Sequence, residues 1–187
     1  HYAAEKGHID IVSILIQNGA DVNAVDKWHK STPLHKAALY GHIDVAKVLI
    51  QNGADVNAVN EHEGTPLHCA ASNGHVNIAK VLIGNGADVK AVDDRDKQTP
   101  LHSAASRGHV DVAKVLIQKG ADMKAVNRYK CTPLCSAARS GHVDVAKVLI
   151  QNGADVKAED NKTALHGVAG SHYEYVDVAK VLIQNGA

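Results

Sequence analysis

A chain of 187 residues with 20 Lys and Arg against 20 Asp and Glu has no global field to draw it onto nucleic acid or an anionic membrane. Its apolar runs, such as Val48-Leu49-Ile50, are too short to cross a bilayer, and no signal-like apolar segment opens it, so no membrane insertion is expected. One Trp, five Tyr and no Phe leave a core of Ala, Val, Ile and Leu, while Cys69, Cys131 and Cys135 form an odd, sparse set that does not read as a disulfide framework and favours a reducing compartment.

The chain opens at His1 inside a first short helix, and Gly7-His8 leads to a second helix ending near Gly19. The next unit displays its own logic. Thr32 is a good N-cap and Pro33 a good first helical residue, since its missing N–H would have no partner there anyway. Ala37-Ala38 give that helix a slim face, and Gly41 ends it by accepting a left-handed backbone. From Ile43 a second helix places Asp44, Lys47 and Gln51 on a narrow polar stripe, with Ile43, Val45, Ala46, Val48, Leu49 and Ile50 covering the rest. Such a helix must be packed on several sides. Gly53 stops it, and the polar stretch from Asp55 to Gly64 projects as a loop or hairpin.

The same unit then recurs. Gly-Ala-Asp begins at Gly19, Gly53, Gly86, Gly120 and Gly153, with Gly186-Ala187 last, in steps of 34, 33, 34, 33 and 33 residues. Thr-Pro-Leu begins at Thr32, Thr65, Thr99 and Thr132, and Gly-His recurs at Gly7, Gly41, Gly74, Gly108 and Gly141. A unit of this size cannot bury so wide an apolar surface alone, so stacking of neighbours must stabilise the fold. The last unit departs from the pattern: Ala164 replaces proline after Thr163, the preceding loop is about two residues shorter, and Ser171-His172-Tyr173-Glu174-Tyr175 stands where Gly-His is expected. Neither end has a polar capping unit, which predicts a piece of a longer array.

Thr32-Pro33-Leu34-His35, Ala37-Ala38, Gly41-His42, Val48-Leu49-Ile50 and Gly53-Ala54-Asp55-Val56-Asn57 together resemble the ankyrin repeat, over the whole chain. The resemblance implies an all-α repeat solenoid of six stacked helix-turn-helix units with β-hairpin-like finger loops, in one domain with units near 1–26, 27–59, 60–93, 94–126, 127–159 and 160–187. It also implies a concave side carrying the first helices and finger tips, where the family usually binds protein. Where the family's finger turns on glycine this chain has Lys30, Glu63, Lys97 and Lys130, which predicts less regular tips.

Recurring His35, His68, His102 and His166 invite a metal reading, but a ladder of isolated residues is not a ligand cluster. In the family, His pairs with the Thr three residues earlier to support the helix start and the neighbouring finger. Cys135 interrupts this series, and Cys131 and Cys135, although spaced to approach, lack the second pair of a zinc site. No phosphate loop, nucleophile elbow or His-Glu-x-x-His stretch is present, and Asp21, Asp55, Asp88, Asp122 and Asp155 belong to the repeat. No catalytic set, cofactor, metal or small-molecule substrate is expected.

Function should therefore lie in residues that change between units: Trp28, His29, Lys36, Leu39 and Tyr40, then Glu61, His62, Ser72 and Asn73, then Arg95, Asp96, Ser106 and Arg107, then Arg128, Tyr129, Arg139 and Ser140. All four arginines fall here, whereas scaffold positions such as Lys47, Lys80, Lys114, Lys147 and Lys180 use lysine. Arg, Trp and Tyr are the residues most enriched at binding hot spots, and the guanidinium fork grips carboxylates. This predicts an apolar anchor site at Trp28, Leu39 and Tyr40 and an acid-binding site at Arg95, Arg107, Arg128, Tyr129 and Arg139, with Glu61 and His62 between. The partner is expected to be a protein, carrying an acidic segment. Two other readings are a structural spacer and the targeting arm of a larger protein. Units this alike resemble arrays in effectors of intracellular bacteria, which would be secreted into a host cytosol.

Overall fold

The computed structural model describes residues 1–156 and 175–186, and within them the chain is a succession of helix pairs. The pairs are α1 (Tyr2–Glu5) with α2 (Ile9–Gln17), α3 (Pro33–Tyr40) with α4 (Ile43–Gln51), α5 (Pro66–Ser72) with α6 (Val76–Gly84), α7 (Pro100–Ser106) with α8 (Val110–Gln118), and α9 (Pro133–Arg139) with α10 (Val143–Gln151). Helix α11 (Val176–Gln184) is the second helix of the last unit. The expectations placed on Thr163, Ala164, His166 and residues 171–174 lie outside the described residues.

First helices stack on first helices and second on second, each also packing on its own partner. The first-helix contacts are closer, because Ala37-Ala38, Ala70-Ala71, Ala104-Ala105 and Ala137-Ala138 are all fully buried and leave almost no side chain between backbones. Leu34, Leu67, Leu101 and Leu134, with Leu49, Leu82, Leu116, Leu149 and Leu182 from the second helices, fill the continuous core.

The Gly-His pair does more than end a helix. Gly41 sits at φ 85° and Gly74 at φ 73°, and a Cβ on either would fall within 3 Å of an imidazole in the next unit, His75 and His109 respectively. Those rings approach because each Nε2–H donates back to the preceding first helix: His42 to the Glu5 carbonyl, His75 to Leu39, His109 to Ser72 and His142 to Ser106, at 2.8–3.1 Å. In the last unit Tyr175 takes the histidine's place and lays its ring over Gly141.

The fingers are more uniform than their sequence predicted. Lys30, Glu63, Lys97 and Lys130 adopt the same left-handed conformation, φ 51–56°, so the absence of glycine does not scatter the tips. The shape is imposed by a side chain at the finger base whose Oδ1 accepts two backbone N–H groups: Asp26 from His29 and Ser31, Asn60 from His62 and Gly64, Asp93 from Asp96 and Gln98, Asn127 from Tyr129 and Cys131. A backbone bond closes each finger at its base, hairpin-like, a second joins Glu63 N–H to Asn60 O and Lys130 N–H to Asn127 O in the second and fourth, and no strand forms among the described residues. Between fingers, Glu61 N–H donates to His29 O, Asp94 to His62 O and Arg128 to Asp96 O, all at 2.8 Å.

The cysteines require a correction. Cys131 and Cys135 are joined in a disulfide, with Cα atoms 5.3 Å apart, while Cys69 is free. The turn at Thr132-Pro133 folds the residue before the N-cap back over the third helical residue, the geometry by which histidine reaches threonine in other units. Sparse cysteines exclude a framework but not a local bridge across one turn.

Candidate functional site: the finger tips and first helices

The recurrent polar residues are occupied by the scaffold. The Thr32 side chain accepts the His35 backbone N–H, His35 Nδ1 accepts the Thr32 backbone N–H, and His35 Nε2–H donates 2.9 Å to the Gly64 carbonyl of the next finger. His68 reaches Gln98 O and His102 reaches Cys131 O in the same way. With both ring nitrogens engaged, and burial holding all three imidazoles below their usual pKa against the opposing pull of the carbonyls, this ladder is neutral structural material. Among the described residues no three His, Cys, Asp or Glu converge as a metal site would require. Asp21, Asp55, Asp88 and Asp122 each accept the backbone N–H two residues on, turning the chain after the second helix.

The variable residues fall in two zones, the finger tips and the exposed ends of the first helices. Along the tips they pair with one another. His29 Nδ1 lies 2.6 Å from Glu61 Oε1, and this bond holds the Glu61 carboxyl below its usual pKa. Arg95 Nη2 donates 2.7 Å to His62 Nε2, Tyr129 Oη donates 3.2 Å to Asp96 Oδ1, and Arg128 Nη1 stands 3.7 Å from the same oxygen. Glu61 and His62, on the second finger, thus pair with residues of the first and the third. Arg95, Arg128 and Tyr129 already have internal partners.

The proposed apolar anchor is more dispersed. Trp28, 83% exposed, is on the first finger, whereas Leu39 and Tyr40 end α3. Leu39 is half-buried and Tyr40 is exposed. Lys36 is withdrawn into an ion pair 2.8 Å from Asp26. Burial would raise the Asp26 pKa, but the Lys36 bond and the two backbone N–H groups outweigh it and bring it down to about 2.

Arg107 and Arg139 remain exposed, with no hydrogen-bond or ion-pair partner among the described residues. Arg139 borders a groove of about 180 Å³ between the fourth finger and the ends of α7 and α9, with Tyr129, Ser106, Ser136 and Ser140 on its walls. Ser106 and Ser140 belong to the varying set, whereas Ser136 was passed over because serine on a short helix reads as surface. A separate hollow of about 230 Å³ is lined by Val12, Leu15 and Ile16 of the first unit together with Pro33 and Leu49 of the second.

A family model described as "Ankyrin repeats (3 copies)" matches residues 1–93, 67–160 and 126–187. The chain belongs to the ankyrin-repeat family. Proteins named NF-kappa-B inhibitor cactus, from Drosophila yakuba and Drosophila melanogaster, are each 57% identical to it over 37 residues. That stretch is 20% of this chain and spans only 8% and 7% of the respective relatives. Ankyrin repeats are protein–protein interaction modules and are generally not enzymes. No helix among the described residues of this ankyrin-repeat chain is long and apolar enough to cross a membrane.

Proposed function

We propose that this array is a non-enzymatic module that binds a partner protein across its finger tips and first helices, gripping an acidic segment of that partner at the α7 and α9 end. The observation that carries this reading is the division of labour between positions. Residues repeated from unit to unit are consumed by caps, ladders and core, whereas Arg107 and Arg139 differ from their counterparts in other units and have no acceptor among the described residues. An unpaired guanidinium beside a groove is available to a carboxylate from outside. The cactus proteins are named as inhibitors of NF-kappa-B, but the likeness covers about one repeat and does not carry their partner over.

The test is affinity capture of partners with the native array and with the Arg107→Glu, Arg139→Glu double variant. Binding should weaken by roughly 2–5 kcal/mol if both arginines are desolvated at the interface. Lys114→Glu, on the constant stripe of α8 beside Asp111, should leave binding unchanged. Equal small effects from both variants would remove the reading and leave a spacer.

A further inference from the structure

We infer that the groove between the fourth finger and the ends of α7 and α9 is a pocket for a single carboxylate side chain, Asp or Glu, presented by an extended segment of the partner. This rests on the function proposed above and names the chemistry of its most specific contact. The pocket has one feature that a surface crease lacks. Ser136 lines it and is only 8% exposed, yet its hydroxyl has no hydrogen-bond partner among the described residues. A buried hydroxyl without a partner costs stability, so its persistence beside an unpaired Arg139 points to a ligand that satisfies both.

The surrounding groups fit a carboxylate. Arg139 offers planar N–H donors, Ser136 and Ser140 offer hydroxyls, the Ser106 hydroxyl already donates 3.2 Å to the Ser103 carbonyl, and no Asp or Glu is among the lining residues. The Tyr129 hydroxyl is committed to Asp96, which fixes that ring as a wall. The finger itself is held by the Asn127 side chain and by the Cys131–Cys135 bridge at its base, so the pocket is formed before anything enters it. The pairing of such a hydroxyl with an arginine is particular to this unit. At the place of Ser136, unit two has Lys36, already paired with Asp26, unit three has Cys69, whose thiol burial pushes up to about 11, and unit four has Ser103, equally buried and without a hydroxyl partner among the described residues but with Ser106 where Arg139 stands.

The experiment is a titration of the isotope-labelled chain with the peptide acetyl-Gly-Glu-Gly-amide, followed by NMR, with the Gln counterpart and inorganic phosphate as parallel arms. The Glu peptide should give saturable shifts centred on Ser106, Tyr129, Ser136 and Arg139. The Gln peptide and the Arg139→Gln variant should each bind about tenfold more weakly, the effect of one charge-assisted contact. Ser136→Ala should weaken peptide binding while leaving thermal stability equal or higher, because it deletes a hydroxyl with no bond among the described residues. A destabilised Ser136→Ala would assign that serine to the scaffold and overturn the pocket. Equal response to Glu and Gln, shifts elsewhere on the surface, or tighter binding of phosphate than of the Glu peptide would each overturn it too. If the peptide fails here while the double arginine variant still loses its captured partner, the pocket is wrong and the binding function stands.

Discussion

His102 uses both ring nitrogens inside the protein, and so do His35 and His68, so their charge state is tied to folding. Burial lowers all three pKa values, which means the unfolded chain takes up protons before the folded one. Their contribution is therefore complete above the ordinary imidazole pKa of about 6.5 and is lost as pH falls through the lower folded-state values. Chemical denaturation at a series of pH values should show that loss beginning just below about 6.5. His102→Gln should cost about 2–4 kcal/mol at neutral pH and make the acid slope shallower. An unchanged slope would mean that His102 is not buried neutral. The structural use of threonine and histidine was legible from their register and from the family they resemble. The Cys131–Cys135 bridge was not: the spacing allows the two sulfurs to approach, but only the turn at Thr132-Pro133 brings them together.

At the scale of the element, the fingers and the helix junctions divide into what conformation demands and what neighbours demand. Lys30 is held at φ 51° by its finger, a conformation that disfavours any side chain. Lys30→Gly should raise the thermal midpoint, with a gain of roughly 0.5–1 kcal/mol, the relief of strain less the extra freedom glycine has when unfolded. Gly53 and Gly74 separate the two demands. Both have positive φ, but a Cβ at Gly53 meets nothing within 4 Å, whereas at Gly74 it would stand 2.6 Å from His109 Nδ1. Gly53→Ala should cost about 1–2 kcal/mol and Gly74→Ala about 2–4, with the larger loss accompanied by release of the His109 bond to Ser72. Equal costs in a denaturation series would show that the imidazole moves aside freely. From sequence, Gly41 was readable as a helix stop, since φ is a local property. That the glycine also makes room for a ring 34 residues on was not, because it depends on how closely two units stack.

For the whole molecule, repetition made the architecture legible: one apolar pattern recurring at 33 or 34 residues admits few arrangements other than stacked helix pairs. The alternation between those periods lies in the fingers, where Asp26 and Asp93 close loops one residue longer than those of Asn60 and Asn127. The candidate surface was legible only as a list of varying residues. Which of them have partners already, as Arg128 has in Asp96, and which have none among the described residues, as with Arg139, depends on contacts between units that the sequence does not display. The central claim is that constant residues hold the stack while varying ones choose what it touches. Hydrogen exchange of the array with and without its captured partner tests this most directly. Slowed exchange in the fingers and in α7 and α9, with α4, α6, α8 and α10 unchanged, is the predicted footprint. Slowed exchange centred on those second helices instead would contradict it.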